Sequence, residues 1–327
     1  MKKYYLGIDV GSVSTNIVVM DTEDQIVETL YLRTQGKPIK AIKDGLAEMR
    51  ERLGNDVEIL GVGTTGSGRQ LAAHITGADI VKNEITSHGV AALKYVPKVK
   101  TIIEIGGQDS KIILLRDGII YDFAMNTVCA AGTGSFLDRQ AERLDIPIEE
   151  FGTMALKSTT PVRIAGRCAV FAESDMIHKQ QLGHNQEDII NGLCEALARN
   201  YLNNLGKGKE IKSPVIFQGG VAANVGILKA FERMLGCEII VPKHANVMGA
   251  IGACLLAKEE VRKKGYTDFT GFETAECDFK VKSFECEGCP NLCEIVQFLK
   301  NETLAARWGD KCGRWSRVDT GEKEKLA

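Results

Sequence analysis

Two hairpin turns carry the residue types that hold phosphate groups. Residues 7–15 (GIDVGSVST) end a buried strand in a hairpin of small residues, and residues 104–111 (EIGGQDSK) repeat the pattern of strand acid, glycine turn and polar residues. Such turns expose backbone N–H groups and hydroxyls to a phosphate, and a strand carboxylate such as Asp9 can hold a water of Mg²⁺. Two hairpins of this kind facing each other would clamp a triphosphate.

A third glycine segment, residues 218–224 (QGGVAAN), predicts a place for a nucleoside. A strand runs into a helix there through Gly219 and Gly220. Paired glycines let a flat base and its ribose lie close to the backbone at the helix N-terminus. Each segment alone is a common turn, but the three together in this order predict a nucleotide cleft.

Cysteines near the C-terminus have the spacing of metal ligands. Cys286, Cys289 and Cys293 form a C-x2-C-x3-C run, Cys312 is a distant fourth thiol, and Cys277 is a spare ligand. Tetrahedral thiolates suit zinc, and they also suit a four-iron, four-sulfur ([4Fe-4S]) cluster. We favour zinc slightly, because so short a segment needs a cross-link such as a structural metal ion to stabilise its fold.

Composition narrows the class of protein. The 327 residues are 44% hydrophobic and 26% charged, so the chain can bury a substantial core. The formal net charge of −2 does not favour a nucleic-acid partner. The longest apolar run, residues 247–257, is shorter than the ~18 residues of a membrane span, so we predict a cytoplasmic protein without a membrane partner.

The elements that must position these residues follow a pattern that occurs twice. The first block has strands at 4–10, 16–21 and 26–32, followed by a helix at 38–53 and a strand at 57–62. The second block has strands at 102–105, 111–115 and 119–124, followed by helices and a strand at 215–217. Two meanders that each continue into α/β alternation predict duplicated α/β domains with a ligand cleft between them. The alternative is one irregular α/β domain.

Three parts of the chain are predicted. We place a first domain at residues 1–99 and a second at residues 100–245, and the helix at 246–264 is a candidate to pack back onto the first domain. Residues 265–327 open with a polar, turn-rich stretch and hold five of the ten cysteines. We predict a separate Cys-rich, metal-binding extension there.

The three glycine segments resemble the phosphate 1, phosphate 2 and adenosine motifs of the acetate and sugar kinase/heat-shock protein/actin superfamily. Residues 127–137 (TVCAAGTGSFL) and 166–171 (GRCAVF) narrow the resemblance to activators of 2-hydroxyacyl-CoA dehydratases in the BadF/BadG/BcrA/BcrD ATPase family. The similarity runs from about Tyr4 to about Ala257. It implies two duplicated ribonuclease H-like (actin-like) domains around a nucleotide cleft.

The resemblance also implies a homodimer with one [4Fe-4S] cluster at its interface, ligated by two cysteines from each subunit. By motif position these are Cys129 and Cys168. A predicted helix follows each cysteine, and the positive end of a helix dipole favours a thiolate. Two ligands per chain cannot complete a four-cysteine site, which agrees with sharing across a two-fold axis.

Roles in the nucleotide site follow from the same motifs. The residues predicted to bind ATP or ADP are Gly11, Ser12, Val13, Ser14, Thr15, Gly106, Gly107, Lys111, Gly219, Gly220 and Asn224. Gln108 is predicted to position the attacking water, with Asp109 as the alternative. Asp9, Glu104 and Asp109 are predicted to organise Mg²⁺ and its waters; the family more often has Asp where this chain has Glu104.

The implied function is an ATP-dependent electron donor. Reduced ferredoxin or flavodoxin would load the cluster, and ATP hydrolysis would drive a motion that delivers low-potential electrons to an iron-sulfur partner. That partner would be a 2-hydroxyacyl-CoA dehydratase, a benzoyl-CoA-type reductase or a double-cubane cluster protein. The alternatives are a small-molecule kinase with Asp109 as base, and a non-catalytic ATP-dependent sensor organised by zinc.

Overall fold

The computed structural model describes residues 1–126, 128–160 and 162–316. Thr127, which belongs to the first cysteine segment, and residues 317–327 of the C-terminal extension lie outside the described residues. Within the described residues, no helix is both long and apolar enough to cross a bilayer.

The first lobe is a five-stranded sheet flanked by helices. Its elements are β1 (Lys2–Val10), β2 (Ser14–Asp21), β3 (Ile26–Arg33), α1 (Pro38–Leu53), β4 (Val57–Thr65), α2 (Arg69–Thr76), β5 (Ile80–Val81) and α3 (Glu84–Tyr95). The strand order is β3-β2-β1-β4-β5, an antiparallel meander extended by two parallel strands. Asn83 fixes the start of α3, because its side chain accepts a hydrogen bond from the Thr86 N–H at 2.9 Å.

The second lobe repeats this topology. Its elements are β6 (Thr101–Ile105), β7 (Ser110–Arg116), β8 (Ile119–Asn126), α4 (Gly134–Leu144), α5 (Ile148–Ala155), α6 (Ala169–Gln181), α7 (Gln186–Tyr201), β9 (Val215–Gln218), α8 (Val225–Leu235) and β10 (Ile239–Ile240). The order β8-β7-β6-β9-β10 follows the same path as the first sheet. The prediction of duplicated α/β domains is therefore confirmed.

The last long helix, α9 (Met248–Lys264), returns from the second lobe to lie across the first sheet. Two strands have a glycine where the helix crosses them. A Cβ on Gly7 would lie 2.0 Å from the carbonyl oxygen of Ala250, and one on Gly63 would lie 2.2 Å from that of Ala253. The helix can approach so closely only because these positions have no side chain.

The C-terminal extension is a three-stranded antiparallel sheet of β11 (Phe279–Glu285), β12 (Glu294–Lys300) and β13 (Thr303–Trp308). Phe298 is fully buried in the core of the first lobe and stacks on Phe279, with ring centroids 5.3 Å apart. His74 of α2 stacks on Trp308 at 5.2 Å. The extension thus shares its core with the first lobe, because its short sheet buries its apolar face there.

Candidate functional site

The predicted phosphate turns of the two lobes line one cleft. The predicted residues in that cleft are Asp9, Gly11, Ser12, Val13, Ser14, Glu104, Gly106, Gly107, Gln108, Asp109, Lys111, Gly219 and Gly220. The two turns meet directly, since a Cβ on Gly107 would lie 2.7 Å from Cγ2 of Val13. Residues about 100 positions apart in sequence are therefore brought to one site.

Two predicted nucleotide contacts lie elsewhere. Thr15 is fully buried, and its hydroxyl is 3.0 Å from that of Thr34, which donates to the Gly11 carbonyl. Thr15 thus holds the shape of the first turn and does not line the cleft. Asn224 lies in an adjoining pocket, where its side chain accepts a hydrogen bond from the Ile227 N–H at the start of α8.

Lys111 is the buried cation at the centre of the cleft. Its ammonium donates to Glu104 at 3.1 Å and to Asp109 at 2.9 Å. Burial opposes the charge of Lys111, but these two carboxylates outweigh burial and raise its pKa. Burial also raises the pKa of Glu104 to about 7, and the charge of Lys111 offsets this only in part. The cleft therefore holds a buried positive charge beside a carboxylate whose pKa is raised by burial.

Asp9, the penultimate residue of β1, lies between Gly66, which follows β4, and Gly249 of α9. A Cβ on Gly249 of α9 would lie 2.2 Å from one carboxylate oxygen, and a Cβ on Gly66 would lie 2.4 Å from the other. Burial raises the pKa of Asp9 to about 6, with Lys111 acting in the opposite direction. Asp9 is thus an acid whose charge a bound cation would stabilise.

Several residues of the cleft were not predicted from the sequence. They are Asn16, Tyr31, Gly66, Ser67, Glu84, His88, Asn246 and Gly249. His88 is buried, and burial lowers its pKa to about 3, so it is neutral at physiological pH. The asparagine cap before α3 could have pointed to Glu84 at that helix N-terminus. The helix at 246–264 was a candidate to pack onto the first domain, but the position of its Gly249 in the cleft was not predicted.

A second pocket adjoins the first and is more apolar. Its walls include Val13, Leu137 and Val221, which suit a flat base, and the carboxylates of Asp138 and Glu149, which suit ribose hydroxyls. Both pockets share Gly220, part of the third glycine segment. The two pockets together have the polarity of a nucleotide, charged at one end and apolar at the other.

The two cysteines of the family motifs lie in neighbouring loops. Cys168 immediately precedes α6, and Cys129 precedes a short 3₁₀ turn at Ala130–Gly132, with α4 starting at Gly134. The Cys129 Sγ lies 3.8 Å from the carbonyl oxygen of Arg167, so its loop touches the one that carries Cys168. Both thiols are partly accessible.

The surface around these thiols is unusually apolar. Val128 is 94% exposed, Val170 is 68% exposed and Phe171 is 65% exposed. Each is next to, or within three residues of, one of the two cysteines. Exposed apolar side chains grouped in this way mark an interaction surface.

The cysteine loops and the nucleotide cleft are joined through α4. The Gly134 N–H donates to the Gly106 carbonyl at 2.9 Å, and the Ser135 N–H donates to the Gly107 carbonyl at 2.8 Å. The Ser135 hydroxyl donates to the same carbonyl at 2.6 Å. The helix that follows Cys129 thus begins against the second phosphate turn.

The model of the BadF/BadG/BcrA/BcrD ATPase family matches residues 6–257. The chain belongs to this family. The matched range contains both lobes, the whole nucleotide cleft and both cysteine loops. The resemblance inferred from the glycine and cysteine segments is confirmed.

Solved members of the family share the fold. The activator of the 2-hydroxyisocaproyl-CoA dehydratase from Clostridium difficile, with bound ADPNP, is 32% identical, with 80% of this chain and 97% of that chain covered and a TM-score of 0.73. Component A of the (R)-2-hydroxyglutaryl-CoA dehydratase from Acidaminococcus fermentans is 34% identical, with 79% and 99% covered and a TM-score of 0.72. The expected pair of actin-like domains is confirmed.

Another relative is named for a different system. It is a subunit of the benzoyl-CoA reductase of Thauera aromatica, which is 28% identical, with 76% of this chain and 91% of that protein covered. The family match and these relatives support ATP as the nucleotide of the cleft.

The C-terminal cysteines lie beyond the family match. Cys286 follows β11 and Cys293 precedes β12, and the Cys286 N–H donates to the Cys293 carbonyl at 2.8 Å. The Cys286 thiol accepts a hydrogen bond from the Trp315 indole at 3.2 Å. Among the described residues, no group of three or more His, Cys, Asp or Glu side chains is placed to hold a metal ion. These cysteines, as placed, do not form a closed metal site.

Proposed function

We propose that this protein is an ATP-dependent electron donor of the cytoplasm that activates an iron-sulfur enzyme. The observation that carries the proposal is that Cys129 and Cys168 share an apolar surface while the helix after Cys129 is hydrogen bonded to the second phosphate turn. A helix that links a cysteine loop to a phosphate turn gives the nucleotide a direct route to influence electron transfer.

The ATP-binding part of the proposal is based on the charged residues of the cleft. ATP would lie with its base in the apolar pocket and its phosphates between the two turns, contacted by Ser12, Ser14 and Gly107. Asp9, Glu104 and Asp109 would organise Mg²⁺ and its waters, and Lys111 would neutralise phosphate charge. Each of these side chains already lines the same cleft, so no rearrangement of the lobes is needed to assemble the set.

Gln108 is our candidate for positioning the attacking water. It is exposed at the second turn, whereas Asp109 is held by Lys111 at 2.9 Å. That ion pair leaves Asp109 less free than Gln108 to follow the γ-phosphate. For the same reason Asp109 is poorly placed as the base of a small-molecule kinase, which weakens that alternative.

The electron-transfer part of the proposal is based on the chemistry and placement of the Cys129 and Cys168 thiols. Cysteine thiolates are the usual ligands of iron-sulfur clusters, and two per chain supply half of a four-cysteine set. A second copy of the chain would supply the other half, and the exposed Val128, Val170 and Phe171 would be covered in that homodimer. The cluster, once bound, would carry one electron from ferredoxin or flavodoxin to the partner.

The partner is inferred from the relatives. Since relatives activate 2-hydroxyacyl-CoA dehydratases or belong to a benzoyl-CoA reductase, we propose an acceptor of one of these classes, or a double-cubane cluster protein. In each case the acceptor would itself be an iron-sulfur protein, and this activator would supply it with a low-potential electron.

The metal at the C-terminal cysteines is a separate proposal, with zinc favoured. The ends of β11 and β13 and the start of β12 lie at one end of the small sheet, which places Cys286, Cys289, Cys293 and Cys312 in loops at that end. Binding would require these thiols to turn towards a common centre. Zinc content of the parent and of Cys289→Ser tests this, and equal content contradicts it.

Metal content of the intact chain tests the main proposal. Protein purified without oxygen should be brown and hold about four irons per dimer at the shared site. Cys129→Ser and Cys168→Ser should each remove this iron and leave ATP affinity within about twofold, because the nucleotide turns are on other segments. Cys237→Ser, a half-buried cysteine outside both loops, is the control.

A colourless, iron-free protein from iron-replete anoxic cells would contradict the electron-donor function. Equal iron in Cys129→Ser and the parent would contradict the ligand assignment alone. Loss of iron and of ATP binding together would indicate that the cysteine is structural.

A further inference from the structure

A buried asparagine touches both cysteine loops. Asn200, near the end of α7, is 1% exposed. Its Nδ2 donates to the Gly166 carbonyl at 2.7 Å and lies 3.4 Å from the Arg167 carbonyl oxygen, just before Cys168. The same nitrogen lies 3.7 Å from the Cys129 Sγ, within hydrogen-bond range for sulfur.

The orientation of this amide is fixed from the other side. The Gly166 and Arg167 carbonyls can only accept, so the nitrogen faces them, and the Oδ1 accepts from the Asn204 Nδ2 at 3.1 Å. The Cys129 loop is packed closely over it, since a Cβ on Gly132 would lie 2.8 Å from the same Oδ1. The amide therefore has a single arrangement that satisfies both of its polar atoms.

We propose that Asn200 is a positioning residue that holds the Cys129 and Cys168 loops in one geometry and donates an N–H hydrogen bond to the Cys129 sulfur. The inference rests on the proposed cluster for its redox consequence, but the positioning of the loops does not depend on it. A thiolate accepts hydrogen bonds and cannot donate them, so an N–H donor becomes the stabilising neighbour once Cys129 ligates metal.

The helix that carries Asn200 also contacts β7, the strand that carries Lys111. The next residue, Tyr201, is buried, and its hydroxyl donates to the backbone carbonyl of Lys111 at 2.6 Å. Consecutive residues of α7 thus bond to the cysteine loops and to the strand of the central cation. A π-helical turn at Leu202–Gly206 follows directly, a feature frequent at functional sites.

Hydrogen exchange on the iron-free protein tests the positioning role directly. Asn200→Ala should speed amide exchange in segments 128–133 and 163–168 by about tenfold or more, because both loops lose their shared donor. Asn191→Ala is the matched control: Asn191 is a buried asparagine on the same helix, bonded instead to Arg233. Unchanged exchange in both segments would overturn the inference.

Asn200→Asp distinguishes the effect of the N–H hydrogen-bond donor from the effect of side-chain volume. Aspartate keeps the shape but removes the N–H and places a carboxylate against two carbonyls, so it should disturb the loops as much as alanine does. Exchange equal to the parent in Asn200→Asp would show that only packing matters, and would refute the hydrogen-bonding role even if Asn200→Ala failed to fold.

Two measurements on the cluster-containing protein test whether Asn200 affects the stability and the potential of the cluster. Asn200→Ala should lose iron to a chelator about 10-fold faster, the usual scale for removing an outer hydrogen bond to a metal ligand. Its midpoint potential should shift to a more negative value, since a donated N–H stabilises the more negatively charged, reduced cluster. An unchanged potential with the exchange effect present would restrict Asn200 to positioning. If the parent binds no cluster, the proposed function fails, while the exchange experiment still decides the role of Asn200.

Discussion

Ser135 donates both its backbone N–H and its hydroxyl to one acceptor, the carbonyl oxygen of Gly107, at 2.8 and 2.6 Å. Gly107 belongs to the second phosphate turn, and Ser135 lies in the first turn of α4, six residues after Cys129. We therefore expect any shift of that turn on nucleotide binding to reach the helix that follows Cys129. The backbone bond survives any substitution except proline, but the hydroxyl bond can be removed.

Ser135→Ala should weaken the coupling between ATP hydrolysis and electron delivery. ATP hydrolysis should stay within about threefold of the parent, whereas ATP-dependent electron delivery should fall about 5- to 30-fold, the scale of one coupling contact. Turnover of ATP and reduction of the acceptor protein are measured in the same samples. Ser283→Ala, on an exposed position of β11, is the control. Equal losses of both activities would place Ser135 in hydrolysis and not in coupling.

Gln108→Ala should slow ATP hydrolysis by about 100-fold or more while changing ATP affinity less than about threefold, because a water-positioning side chain acts in the transition state. Single-turnover hydrolysis and nucleotide titration separate the two effects. Gln70→Ala, on an exposed position of α2 outside the cleft, should behave as the parent. Normal hydrolysis in Gln108→Ala would move the role to Asp109.

The pKa of Asp9, raised by burial to about 6 from 3.8, makes stability depend on pH. Between these values the native state binds more protons at Asp9 than the unfolded chain does. The contribution of Asp9 to the free energy of unfolding therefore falls as pH rises from about 4 to 6, and stays low above that. Without nucleotide, Asp9→Asn should be more stable than the parent at pH 7.5, and this advantage should disappear towards pH 4.

Chemical denaturation at several pH values checks this. Asp56→Asn, on the exposed loop before β4, is the control and should leave the pH dependence of the parent unchanged. Asp9→Asn should also lose most ATP hydrolysis, since it removes a predicted Mg²⁺ contact. Identical pH profiles for Asp9→Asn and the parent would show that Asp9 is not the buried acid described here.

Phe298→Ala should destabilise the whole first lobe and not only the extension. Phe298 is fully buried, and it packs against Phe279 and His74 in a core shared with β1 and α1. Phe→Ala changes in such cores cost about 3–5 kcal/mol. Denaturation followed by fluorescence should show one transition at lower denaturant, whereas Val281→Ala, on an exposed position of β11, should have little effect. A separate early transition would show that the extension unfolds alone.

The sequence alone determined the duplicated meander, the three glycine segments and the two cysteine segments. These features are local: a strand, a tight turn and a small-residue run are encoded within about ten neighbouring residues, so their type and order can be read directly. For that reason the strands of both blocks and the cleft residues of both turns were predicted together. Thr15 was the exception, because the same residue type can face a phosphate or cap the turn from inside.

Tertiary structure decided which distant residues meet. Gly249 lines the cleft because α9 returns across the first sheet over Gly7 and Gly63, and His88 of α3 lines the cleft beside it. Asn200 reaches both cysteine loops only because α7 packs beneath them. No periodicity or spacing encodes such contacts, since they depend on how buried faces of separate elements pack against each other. Packing of that kind is fixed by the complementarity of the whole core and not by any single segment.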